Sequence, residues 1–106
     1  MLVKNEFMVP GFRFSLNEFG VEMAHAYLYT RPNDGHNRPA GYVEDVFVEE
    51  AYRGKGYEEQ IVDAVIAEAR KQRCHTLVAN PGDPSLEKLY ARLGFTKRGI
   101  ECRMDF

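Results

Sequence analysis

Tyr42 to Glu59, reading Tyr-Val-Glu-Asp-Val-Phe-Val-Glu-Glu-Ala-Tyr-Arg-Gly-Lys-Gly-Tyr-Glu-Glu, hold the residue types closest to chemistry in this chain. An apolar, strand-like run ends in the basic, glycine-spaced turn Arg53-Gly54-Lys55-Gly56. Apolar Ile61, Val62, Val65, Ile66 and Ala69 then recur on one helical face through about Arg73. A helix that starts straight after such a turn leaves its first backbone N–H groups without intrahelical acceptors, and its positive end favours an anion. Arg53 and Lys55 add cationic charge, so a phosphorylated ligand is the expected occupant. Two carboxylates, Glu44 and Asp45, lie on the preceding strand and are candidates to handle a proton or a cationic group. Side chains alternate along a strand, so the two point to opposite faces unless a bulge intervenes.

The elements that position these groups follow from periodicity. Phe12, Phe14 and Leu16 alternate with Arg13, Ser15 and Asn17, the segment Asn17-Glu-Phe-Gly20 carries turn chemistry, and Val21 to Thr30 resumes as a strand. Pro32 to Pro39 reads as a surface loop, and Tyr42 to Val48 as the third strand of an antiparallel meander. After the first helix, His75 to Asn80 reads as a short buried strand. Asp83 can cap a second helix with Pro84 at its first position; Leu86, Leu89, Tyr90 and Leu93 form its apolar stripe, and Gly94 ends it. Ile100, Cys102, Met104 and Phe106 alternate in a last strand. Antiparallel strands followed by a β-α-β crossover predict one α+β (mixed α/β) domain over residues 1–106, with helices packed on a mostly antiparallel sheet.

Composition bounds the rest. The chain has 106 residues, enough for one core and one cleft, with 44% apolar and 28% charged residues and a net charge of −2. That balance is ordinary for a globular protein and argues against nucleic acid as a partner. No apolar run approaches the roughly 20 residues of a membrane span, and Met-Leu-Val-Lys-Asn-Glu at the start lacks signal-peptide order, so a cytoplasmic location is expected. Cys74, Cys102 and the three histidines, His25, His36 and His75, have no metal-ligand spacing; no metal is expected, and both cysteines are expected reduced and buried.

In order, a strand, Arg53-Gly54-Lys55-Gly56, a helix, a strand, and a helix ending Leu89-Tyr90…Leu93-Gly94-Phe95 resemble the GNAT family of acyl-CoA-dependent N-acyltransferases. Arg53 and Gly56 match the family's pyrophosphate loop, Gln/Arg-x-x-Gly-x-Gly/Ala, and the second helix matches its Leu-Tyr-x-x-Leu-Gly-Phe pattern. Tyr42 to Val48 and Asp83-Pro-Ser-Leu look most like the diamine (polyamine) acetyltransferase branch. The resemblance covers roughly residues 12 to 106 and implies a GNAT-like fold, N-terminally truncated, without the family's usual first strand and two helices. It implies acetyl-CoA as co-substrate, held by Arg53, Gly54, Lys55, Gly56, Tyr57 and Glu58, with its pantetheine arm beside Phe47 and Val48. It further implies Tyr90 as proton donor to the leaving thiolate, Glu44 as base, and Glu44, Asp45 and Tyr27 around a small-molecule amine acceptor.

One residue departs from the pattern. The family's last loop position is Gly or Ala, and here it is Glu58, followed by Glu59. Acidic residues in a first turn stabilise a helix, so Glu58 turned outward leaves its N–H available; turned inward, it opposes an anion. Two functions of different classes therefore stay open: an N-acetyltransferase acting on a small primary amine by direct attack in a ternary complex, and a non-catalytic GNAT-like module that binds a partner or senses acyl-CoA. A dinucleotide-binding unit is excluded by the lack of Gly-x-Gly-x-x-Gly. Core packing is the competing reading for Tyr90 and Tyr27. A homodimer through the Ile100 to Phe106 strand is expected, because an uncovered edge invites pairing.

Overall fold

The computed structural model describes residues 1–33, 35–99 and 101–106. Three antiparallel strands, β1 (Gly11–Glu18), β2 (Val21–Asn33) and β3 (His36–Val48), form a meander. A short 3-10 turn, Glu50–Tyr52, leads into helix α1 (Tyr57–Lys71), which returns the chain to β4 (Thr76–Ala79), parallel to β3; helix α2 (Pro84–Arg92) follows. The sheet order is β1-β2-β3-β4, the mostly antiparallel α+β architecture that the alternating pattern predicts. The β1–β2 hairpin closes on Phe19 and Gly20, both at positive φ (51° and 76°), a turn whose twist matches that of the paired strands.

Both helices cover one face of this sheet. Ala24, Ala26, Leu28, Val43 and Val48 from the strands meet Ile61, Val62 and Val65 from α1 and Leu86, Leu89 and Tyr90 from α2 in one buried cluster. Burying each large aliphatic side chain contributes roughly 1.5 to 3 kcal/mol, which is why the 3.6-residue stripe of α1 sets its orientation. The opposite face, carrying His25, Tyr27, Tyr29, Tyr42 and Phe47, has no helix over it among the described residues.

Four expectations are corrected. The stretch from Pro32 to Pro39 is not a plain loop: β2 runs on to Asn33 and β3 starts at His36, with Asn33 opposite His36. Pro32 and Pro39 are tolerated because the ladder slips between Arg31 and Asn33, where a missing N–H costs no regular bond. β4 is half exposed rather than buried, with Val78 at 47%, because it lies at the sheet edge with one face covered. Glu101 to Phe106 form no strand, Ile100 lying outside the described residues, since alternation becomes a strand only where a neighbour supplies hydrogen bonds. Cys102 is consequently exposed, whereas Cys74 is half-buried and burial pushes its thiol pKa up, consistent with packing.

Asp83 begins α2 as expected: its Oδ1 accepts from the Leu86 N–H at 3.0 Å and from the Ser85 hydroxyl at 2.6 Å. Those bonds, Ser85 first, hold the carboxyl below its ordinary pKa. A depressed acid adds stability above the ordinary carboxylate range and loses it as pH falls, so Asp83→Ala is expected to cost about 1 kcal/mol near neutrality and less in acid. Denaturant titrations at two pH values measure this.

Candidate active site

The turn after β3 owes its shape to glycine. Gly54 and Gly56 sit at φ of +75° and +86°, a left-handed conformation that side chains rarely adopt. Gly56 in that state is the N-cap of α1 and offers no side-chain acceptor; the first intrahelical bond runs from Gln60 N–H to Gly56 O at 3.1 Å. The amides of Tyr57, Glu58 and Glu59 are therefore left without helical acceptors, at the positive end of the helix. They border a cleft of about 170 Å³ between the α1 start and α2, lined by Val48, Gly54, Gly56, Tyr57 and Glu58 on one side and Ser85, Leu89 and Arg92 on the other.

The two loop cations are placed differently from each other. Arg53 turns back onto β3, where its Nε donates to the Val48 carbonyl at 2.9 Å and its guanidinium lies 5.6 Å from the Phe47 ring centroid. Its side chain braces the strand rather than standing free in the turn. Lys55 stays near the Tyr52 ring, at 5.7 Å, on the exposed side.

The strand before the turn contains a bulge. Two steps along β2, from His25 to Tyr27, are matched by three along β3, from Phe47 to Glu44, and Asp45 takes a φ of 52°. Val43, Val46 and Val48 all remain on the core side, while Glu44 and Asp45 are both exposed. The extra residue thus brings the two carboxylates to one face, which strict alternation forbids. Pairing with β4 ends at Val43 opposite Ala79, so β3 runs on to Val48 along an edge that β4 no longer covers. Tyr27 lies opposite Glu44 in the β2–β3 register; its hydroxyl accepts from Arg13 Nε at 3.0 Å and its ring stacks on Tyr29 at 5.9 Å.

Tyr90 is 5% exposed and packs against Phe95, ring centroids 5.0 Å apart. No side-chain partner binds its hydroxyl, yet no sealed polar atom among the described residues is left unsatisfied, so the hydroxyl reaches solvent. Burial first, then the charges of Glu58, Asp83 and Glu44, push its pKa up to about 12. A phenol in that state keeps its proton and has it available to donate. Glu58 lines the cleft, is half-buried, and its charge acts on this hydroxyl.

Sequence reasoning missed Ser85 and Arg92 as cleft residues and read Leu89 for the core alone, although the i, i+4, i+7 spacing of the three marks one face of α2 at the border of the core stripe. It also missed the ion pair of Arg92 with Glu59, 2.9 Å, which spans the cleft from α2 to α1.

A sequence model of the Acetyltransferase (GNAT) family matches residues 12–95. The chain belongs to this family. Glucosamine 6-phosphate N-acetyltransferase 1 of Oryza sativa subsp. japonica is 35% identical over 66 residues, covering 62% of this chain and 39% of the relative. An acetyltransferase of Agrobacterium fabrum is 38% identical over 100 residues, 85% of this chain and 73% of the relative. The match thus spans well under half of the rice enzyme's length. Among solved structures, a Trypanosoma brucei acetyltransferase superposes with a TM-score of 0.80 at 25% identity, covering 92% of this chain and 69% of that one. Glucosamine-6-phosphate N-acetyltransferase from Arabidopsis thaliana shares the GNAT fold at a TM-score of 0.83 and 19% identity, covering 91% and 67%.

Proposed function

We propose that the protein is an N-acetyltransferase moving an acetyl group from acetyl-CoA to a primary amine of a small molecule. The observation that carries this reading is the cleft itself: unpaired α1 amides, the glycine turn and the uncovered β3 edge converge beside α2, the helix that holds a neutral, donating Tyr90. The α1 amides and the turn fit a pyrophosphate, and the β3 edge from Glu44 to Val48 fits an extended amide-bearing arm. Acetyl-CoA would supply the activated thioester. In direct attack, the C–N bond forms as the C–S bond breaks, the amine loses a proton and the thiolate gains one. Glu44, on the same face as Asp45, is the candidate base, and Tyr90 the candidate donor. An amino sugar phosphate is the acceptor to test first, because relatives are named for glucosamine 6-phosphate; a diamine is the second.

One observation favours a non-catalytic acyl-CoA sensor instead: Glu58, a carboxylate, lines the cleft that the proposed pyrophosphate site occupies. Thermal melts with acetyl-CoA separate the readings from an empty fold. A ligand at 100 times its Kd stabilises the folded state by about 2.7 kcal/mol, and each kcal/mol raises the midpoint of a domain this size by about 4 to 8 °C. A clear rise is expected; none at millimolar acetyl-CoA sinks both coenzyme readings. Acetylated product from an amine panel then distinguishes enzyme from sensor.

A further inference from the structure

We propose that His25 is a positioning residue: from β2 it grips Asp45 and Phe47, fixing the β3 bulge and the strand edge beyond it. The last part rests on the coenzyme reading above; the grip itself does not.

Asp45 holds a left-handed backbone, a state that asparagine and aspartate usually reach with help from a local hydrogen bond. Here the carboxylate reaches across to the next strand: Asp45 Oδ2 lies 3.0 Å from His25 Nε2. His25 stands where regular pairing resumes, directly opposite Phe47, and its ring lies 5.5 Å from the Phe47 ring. Phe47 is the ring that Arg53 approaches at 5.6 Å, and Arg53 returns to β3 through the Val48 carbonyl. Asp45, inside the irregular stretch, is therefore tied to His25, and Val48, just beyond it, to Arg53, with the Phe47 ring between the two.

His25 is itself held. Its Nδ1 lies 3.3 Å from Glu22 Oε2, and Arg13 engages both Glu22 oxygens while its Nε donates to Tyr27. Ionised carboxylates only accept, and a neutral imidazole has one N–H to give. Holding both carboxylates engages both ring nitrogens, Nδ1 toward Glu22 and Nε2 toward Asp45. The charged groups around it are Glu22 on β2, Asp45 on β3, Arg13 behind Glu22 and Arg53 behind Phe47; Tyr27 meets its ring edge-on at 6.0 Å. Asp45 is solvated, its side chain 64% exposed, and such pairs contribute little to global stability. Their effect is therefore local.

Backbone amide exchange on the full chain tests this. In His25→Phe, which keeps the ring but no hydrogen bond, the β2-facing amides from Asp45 to Val48 are expected to exchange at least tenfold faster, with less change in His25→Gln, which keeps one donor. The melting midpoint stays within a few degrees. Acetyl-CoA affinity drops about tenfold in the same variant while 3′,5′-ADP, which lacks the pantetheine arm, binds as before. Unchanged exchange, or a uniform rise across the sheet, overturns the proposal. If the parent binds neither nucleotide, the coenzyme reading fails and the exchange result alone decides the grip. Asp45→Asn, which retains the left-handed preference, makes the same comparison if His25→Phe does not fold.

Discussion

Tyr90→Phe is expected to lower turnover by about 10- to 1000-fold and leave CoA affinity nearly unchanged, because the lost hydroxyl acts on the leaving thiolate and not on ground-state binding. The ring remains, so packing on Phe95 and the core is kept. The raised pKa adds a second signature. The folded state holds the Tyr90 proton more tightly than the unfolded chain does. Its contribution is therefore complete below the ordinary tyrosine pKa of about 10 and lost as pH climbs through about 12. The variant lacks that alkaline loss. Initial rates with the acetylated amine and denaturant titrations from pH 8 to 11 read the two effects separately. Equal activity in the variant assigns Tyr90 to core packing alone.

Glu58→Gly is expected to tighten CoA binding by about tenfold, close to 1.4 kcal/mol, since it removes a negative charge from the cleft and allows a closer backbone approach. The same change removes a favourable first-turn charge and adds glycine flexibility, at about 1 to 2 kcal/mol of fold stability. Affinity and stability then move in opposite directions. Glu58→Gln isolates the charge, and because Glu58 helps raise the Tyr90 pKa, it also brings that value down. Calorimetry with CoA at two salt concentrations tests the electrostatic part, which weakens with ionic strength. Weaker or unchanged affinity in both folded variants means that the turn does not hold the coenzyme.

Periodic elements were legible in the sequence because burial on one face enforces them. The Ile61, Val62, Val65 and Ala69 stripe and the Asp83-Pro84 start delivered α1 and α2 close to their observed limits. Gly54 and Gly56 were legible as a turn because positive φ leaves few alternatives. The long β2–β3 hairpin was hidden by its prolines, which mark loops except where the ladder slips. The Asp45 bulge left a trace: two adjacent carboxylates inside an apolar strand fit neither face of a regular one. Which side chains fold back across strands, as Arg53 does to Val48 and His25 to Asp45, depends on register, and register is not a property of one segment. Ile100 to Phe106 misled because alternation says nothing of an available neighbour.

The bulge also makes β3 two half-strands in different frames. From Ala40 to Val43 the chain is bound on both edges, to β2 and β4, and its sequence answers to the fold. From Glu44 onward one edge is open, so the residues there answer to whatever occupies it. The single extra residue acts as a seam between the two. Changes to the outward residues at and beyond that seam, Glu44 and Phe47, can retune recognition with small consequence for folding. Deleting one residue at the seam would restore strict alternation, leaving Val46 and Val48 in the core and removing one carboxylate from the open face. Tolerance to mutation along this one strand is therefore expected to change abruptly, and the boundary is set by backbone geometry rather than by depth of burial.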